Sequence, residues 1–123
     1  MRLKLLGCWE LISHGRRESG IFKPTSDFLS GRLIYETSGA MSVLIALKDH
    51  VVTTDDIIAY SGRFSVSGER VFHHIDVASR SNRVGNSEER LASFNDDDLL
   101  LKASAADGSF YEMTWRRVRS NFA

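Results

Sequence analysis

With 123 residues, 42% of them hydrophobic and 26% charged, the chain has the make-up of one globular domain with a single core, expected to span residues 1–123; neither disorder nor a membrane partner is indicated. Sixteen Lys and Arg balance sixteen Asp and Glu, which gives no electrostatic reason to expect nucleic acid as a partner, since counterion release needs a basic surface. Cys8 is the single cysteine, which excludes an intrachain disulfide and suits a reducing compartment.

The stretch Leu5-Leu6-Gly7-Cys8, after Arg2 and Lys4, has the look of a lipoprotein cleavage box. A secretory signal needs an apolar core of about 7–15 residues, and Lys4 interrupts a far shorter run. The expected location is cytoplasmic.

Residues 3–6 suffice for a helical turn leading into a first strand at residues 8–14, where alternation puts Trp9, Leu11 and Ser13 on one face. A polar, glycine-flanked loop follows at 15–20, then a short extended piece at 21–23 stopped by Pro24, and a loop over 25–30. Residues 31–36 read as a strand with Leu33 and Tyr35 on its apolar face. After the turn Thr37-Ser38-Gly39, residues 40–47 alternate Met41, Val43, Ile45 and Leu47 with Ser42, Leu44 and Ala46. The second face is apolar enough to predict cover on both sides, and Leu44 and Ala46 leave a homodimer edge open.

Residues 49–60 are the least strand-like. Thr53 or Thr54 can cap a short helix near 53–60, with Asp55 and Asp56 at its positive end and Ile57-Ile58-Ala59-Tyr60 as its apolar side. Residues 62–66 and 70–80 form a hairpin across a Ser-Gly turn; its second run places His73 with Val71, Ile75 and Val77, and His74 with Asp76 on the other face. A strand at 86–94 groups Glu88, Arg90, Ala92 and Phe94. After the Asn95–Asp98 turn, residues 99–104 and 110–118 make a last hairpin, in which Tyr111, Met113 and Trp115 share a face. About eight to nine short strands joined by tight turns predict an all-β fold, an up-and-down antiparallel meander that removes its edges by closing into a small barrel.

Several ordered motifs carry a resemblance. Leu6-Gly7-Cys8-Trp9-Glu10-Leu11 holds a Gly-x-Trp opening, and Gly31-x-Leu33-Ile34-Tyr35 is followed by Gly39-x-Met41-Ser42. Tyr60-x-Gly62-Arg63-Phe64 and Val71-x-His73-His74 come next, then Gly85, Arg90, Leu99-x-Leu101 and a closing Trp115-Arg116-Arg117-Val118. In order and spacing these resemble the bacterial lipocalin-like domain family, within the wider lipocalin and fatty-acid-binding barrel group. The resemblance implies a barrel that binds a small hydrophobic or amphipathic molecule, some relatives acting as isomerases or cyclases in natural-product pathways. It also implies that Trp9, near the start of the first strand, is covered by an arginine of the last. Alternation with Trp115 favours Arg117 over Arg116. The segment between Leu47 and Ile57 is shorter than the family's pattern, which predicts a reduced cover over the barrel mouth.

On this reading the ligand walls are Leu33, Tyr35, Met41 and Val43 from the early strands, with Phe64, Ile75 and Met113 from the later ones. The polar anchors are His73, Arg90 and Tyr111. His73 in an apolar interior is either a neutral donor or base, with Tyr35 the other candidate for moving a proton, or a core histidine bonded to a tyrosine or a carbonyl. Arg90 either points inward, needing Glu88 or an acidic ligand group to offset its charge, or faces solvent. No cofactor and no metal site are expected: His73 and His74 point to opposite faces, while His14, His50 and Cys8 lack ligand spacing. A packed barrel acting through its outer face remains a third reading beside binder and enzyme.

Overall fold

Runs of alternating apolar and polar residues extend as strands along most of the chain, and the few residues per turn force each strand to lie antiparallel beside the last. The structure is a computed structural model and describes residues 1–25, 30–49 and 53–119. A one-turn helix α1 (Arg2–Leu5) precedes β1 (Gly7–Glu18), β2 (Ile21–Pro24), β3 (Ser30–Tyr35) and β4 (Ala40–Ala46). Then come β5 (Ile57–Ser67), β6 (Arg70–Ala78), β7 (Ser87–Asn95), β8 (Asp98–Ser104) and β9 (Phe110–Arg117). The order around the sheet is β2-β1-β3-β4-β5-β6-β7-β8-β9, and β1 also pairs β9, closing an eight-stranded up-and-down barrel with β2 as an extra strand.

The long β1 makes this closure possible. One edge pairs with β9 from Trp9↔Arg117 to Arg17↔Phe110. The other is divided: Gly7 to Glu10 pair with β3, and Gly15 to Glu18 pair with β2. A bulge between Leu11 and Ser13 inserts Ile12 and re-aims the strand beyond it. Plain alternation had Ser13 following Trp9 and Leu11 inward. The bulge exposes Ile12 and buries His14 instead.

Other sequence expectations hold in outline with shifted ends. Helical geometry at Thr54–Asp56 is capped by Thr53, whose hydroxyl accepts from the Asp55 N–H, but it ends there. Ile57–Tyr60 are not its apolar side; they open β5 and pair with β4 from Ala46↔Ile57 to Val43↔Tyr60. Cross-strand pairing wins because β4 offers a complete ladder to these β-branched residues. The outer face of β4 is not covered, since Leu44 is exposed. The expected loop at 25–30 falls partly on residues 26–29, and His50 falls among 50–52, both outside the described residues.

One end of the barrel is closed by α1. Leu5 is fully buried, and its carbonyl accepts the Trp9 indole N–H at 2.8 Å. Arg117 lies 4.1 Å from the Trp9 ring centroid and donates to the Leu6 and Lys4 carbonyls at 2.6 Å each. A guanidinium stacked on indole and holding two carbonyls satisfies a helix C-terminus that would otherwise be unpaired, and the stacking contributes about 0.5–2 kcal/mol. Arg2 covers Phe64 from the same end, 4.4 Å from its ring. The core above this plug is Leu33, Tyr35, Met41, Val71, Leu99 and Trp115.

A second bulge, opposite Ser61 and Gly62, leaves Asp76 unpaired in β6. It brings Gly62 so close to β6 that a Cβ there would sit 1.9 Å from the His74 carbonyl oxygen. Gly62→Ala therefore forces the two strands apart beside His73. It is expected to lower unfolding stability by about 3 kcal/mol, toward the upper end of overpacking costs. Urea denaturation checks this; an unchanged midpoint would mean that the bulge relaxes freely.

Candidate ligand cavity

Above the packed half, at the end away from α1, the barrel encloses a cavity of about 340 Å³. That volume is at the lower end of ordinary small-molecule sites, which run from about 300 to 1,000 Å³. Inward positions of β3 and β4 supply Leu33, Val43 and Ile45, and those of β8 and β9 supply Leu101, Met113 and Trp115. The polar residues come from β5, β6 and β7 (Tyr60, His73, Arg90), from the connection after β6 (Ser79, Arg80, Arg83), and from His14 and Tyr111 on β1 and β9. Every charged residue in the wall is an arginine.

His73 is 2% exposed and hydrogen-bonded on both nitrogens: Tyr35 Oη lies 2.6 Å from Nε2, and Tyr60 Oη lies 2.7 Å from Nδ1. Burial lowers its pKa to about 3, the Arg90 and His74 charges adding to the effect, so the imidazole is neutral. A neutral ring donates once and accepts once. Tyr35 is 1% exposed with His73 as its hydrogen-bond partner among the described residues, so the cheapest arrangement has its O–H donating to Nε2. Nδ1–H then donates to the Tyr60 oxygen. This leaves the Tyr60 O–H free at the cavity wall, a proton donor polarised by the chain behind it. Burial raises the pKa of both phenols, Tyr35 well above 10.0; at Tyr60 the Arg90 charge works against the rise.

Arg90 points inward, its side chain 14% exposed, and Glu88 on the same face accepts from it at 2.9 Å. Glu88 also pairs Arg83 at 3.3 Å, while Arg83 lies 5.5 Å from the Tyr60 ring centroid. One carboxylate thus serves two guanidiniums, and this corner of the cavity keeps a net positive charge. Arg80, at the mouth, pairs with Asp55 at 3.4 Å.

Of the residues singled out from sequence, Leu33, Val43, His73, Arg90, Tyr111 and Met113 line the cavity. Tyr35, Met41, Phe64 and Ile75 are buried among the packed side chains outside it. Tyr111 stands at the rim, 38% exposed, although Met113 and Trp115 on the same face are buried. Sequence reasoning did not count Tyr60 among the polar anchors, because residues 57–60 also carried a helix reading, and it singled out neither Arg80 nor Arg83. It missed His14 because no local signal marks the bulge. Trp115 also lines the cavity, and its indole N–H is buried with no acceptor among the described residues.

His74 faces outward, Nε2 2.8 Å from Ser65 Oγ and Nδ1 2.7 Å from Ser87 Oγ. The two histidines do not meet, and the described residues contain no group of three His, Cys, Asp or Glu able to hold a metal ion. No helix among them is long and apolar enough to cross a membrane.

A closed antiparallel barrel, plugged at one end and hollow at the other, defines a lipocalin-like architecture. The lipocalin-like domain profile matches residues 45–118, and the chain belongs to that family. Among solved structures, a lipocalin-like protein from Bacteroides uniformis is similar at 16% identity, with 94% of this chain and 99% of that one covered and a TM-score of 0.59. A redesigned β-barrel is similar at 12% identity, covering 96% and 95%, with a TM-score of 0.55. At these identities the likeness is one of fold. No curated protein matches the chain significantly.

The shifted pKa of His73 has a measurable consequence. An unfolded histidine titrates near 6.5, and His73 in the fold only near 3. Between those values the unfolded chain binds a proton that the folded chain refuses. Stability is therefore lost as pH falls below about 6.5, by at most about 1.4 kcal/mol per pH unit from this group. His14, whose pKa burial also lowers, acts in the same direction. Urea unfolding at about pH 7 and pH 5 should show a smaller pH-dependent loss for His73→Phe than for the wild type, even though the variant is less stable at both. Equal losses would assign the effect to other groups.

Proposed function

We propose that the protein binds one small, mainly apolar molecule carrying an oxygen-acceptor group, with the apolar body against Leu33, Val43, Ile45, Leu101 and Met113 and the acceptor toward Tyr60 and Arg90. The observation that carries this is the lining itself: apolar walls meet a corner where Tyr60 and three arginines offer donors, while Glu88 stands outside the lining, held by Arg83 and Arg90. Burying an acceptor beside such donors is favourable, whereas a cationic ligand would be repelled. His73 acts through Tyr60, since both its nitrogens are already engaged.

A second reading, an isomerase or cyclase on the same barrel, has the Tyr35–His73–Tyr60 chain in its favour, because it could carry a proton to the wall. A histidine with a pKa of about 3 is a weak base at neutral pH, which ranks binding first. A cytoplasmic location, suited by the free Cys8, belongs to the same proposal. A homodimer rests on the exposed Ile34, Leu44 and Val77 of the outer face.

The test uses the apolar anionic dye anilinonaphthalene sulfonate. Saturable binding at one site per chain is expected, with quenching of tryptophan emission through Trp115. Arg90→Met should weaken binding by about tenfold to a hundredfold, the range of a charged hydrogen bond. It leaves Glu88 paired with Arg83, so the fold should survive. Absence of saturable dye binding, together with a bare chain mass in native mass spectrometry, would remove the binding reading.

A further inference from the structure

The closed ring runs β1-β3-β4-β5-β6-β7-β8-β9 and returns to β1. Counted either way, β6 is the fourth strand from β1, and β5 is the fourth from β9. His14 on β1 and His73 on β6 therefore line the cavity from opposite sides of the barrel, as do Tyr111 on β9 and Tyr60 on β5. Arg90 on β7 extends the Tyr60 and His73 wall; between that wall and His14 the inward residues are apolar, Leu33, Val43 and Ile45 on one flank and Leu101 and Ala103 on the other. The cavity thus has two polar walls separated by an apolar band.

The wall at His14 is built differently from the Tyr60 corner. His14 is 8% exposed, Thr25 Oγ1 lies 2.7 Å from its Nδ1, and its Nε2 has no hydrogen-bond partner among the described residues. Its ring packs 6.3 Å from that of Tyr111, whose ring centroid lies 5.5 Å from the Arg16 guanidinium. Thr25 orients the imidazole while leaving one nitrogen for the interior. A threonine hydroxyl donates or accepts, so Nε2 can serve in either sense. Among the described residues only the Trp115 indole N–H is a buried side-chain polar atom without a partner, so the unpartnered Nε2 of His14 is accessible and open to a ligand group.

We propose that the cavity takes a two-headed ligand: an apolar body with an acceptor head at Tyr60 and Arg90 and a second hydrogen-bonding group, of which a hydroxyl is the simplest, at Nε2 of His14. This rests on the binding reading above and adds a residue and a ligand class to it. A hydroxyl suits either tautomer of His14, because it both donates and accepts.

The experiment compares 2-naphthoic acid with 6-hydroxy-2-naphthoic acid, a rigid pair differing by one hydroxyl at the end remote from the carboxylate, by calorimetric titration. The hydroxylated acid should bind wild-type protein on the order of tenfold more tightly. His14→Phe should abolish that advantage and leave 2-naphthoic acid within about twofold, while His14→Gln, which keeps a hydrogen-bonding side chain, should retain part of it. A merely structural His14 would weaken both acids alike. Equal wild-type affinities for the two acids, or the same loss for both in His14→Phe, would overturn the two-headed site and leave the binding reading intact. If neither acid binds the wild type, the binding reading itself falls, and this inference with it.

Discussion

Pairing of β1 with β9 is the contact on which the rest of the molecule depends. Without it the strands form an open curl with two unpaired edges, and the apolar face that runs along each strand has no enclosed side. The contact joins Trp9 and Leu11 to Trp115 and Arg117, so hydrogen bonding and the cation–π plug reinforce one another at the same place. Closing residues so distant in sequence is entropically costly. The length of β1 offsets that cost by pairing with three neighbours at once.

The two bulges do different work. In β1 the inserted Ile12 moves outward and turns His14 inward, giving the cavity a polar group on the side where β1 and β9 meet. Opposite Gly62, the unpaired Asp76 lets β5 and β6 approach so closely that only glycine fits. The strands so joined carry Tyr60 and His73. The Tyr35–His73–Tyr60 chain thus spans β3, β5 and β6, linking the packed half of the barrel to the hollow half. A buried polar chain of this kind is stable because every donor but the last is satisfied internally. That last donor opens on the cavity.

Charge is distributed with the same economy. Glu88 lies against both Arg83 and Arg90, which keeps an inward guanidinium from being a lone buried cation and still leaves the corner positive. On the outer surface the arginines are matched more fully, Arg16 with Asp107 and Glu18, Arg17 with Glu112, and Arg116 with Asp98. A chain of zero net charge therefore presents a locally basic interior end.

Much of the fold was legible in sequence because period-two alternation and Gly, Ser, Asn and Asp turns act over a few residues. They predicted a closed meander, the inward sides of Leu33, Met41, Val43 and His73, and the opposite directions of His73 and His74. Residues 57–60 misled because an apolar run beside a capping threonine suits a helix until β4 is there to pair with it. Alternation assigns residues to a face but not to a height. It could not separate Tyr35, Met41, Phe64 and Ile75, packed below, from Leu33, Val43 and Met113, which line the hollow. By itself, then, the sequence determined strands, turns and a barrel of lipocalin-like type, since these follow from local pattern and motif order. The direction of Arg90, the inward turn of His14 and the placing of Tyr60 against His73 were decided only by tertiary structure. Each depends on register, on a bulge, or on which strand lies across the barrel, and those are set by pairing between residues far apart in the chain.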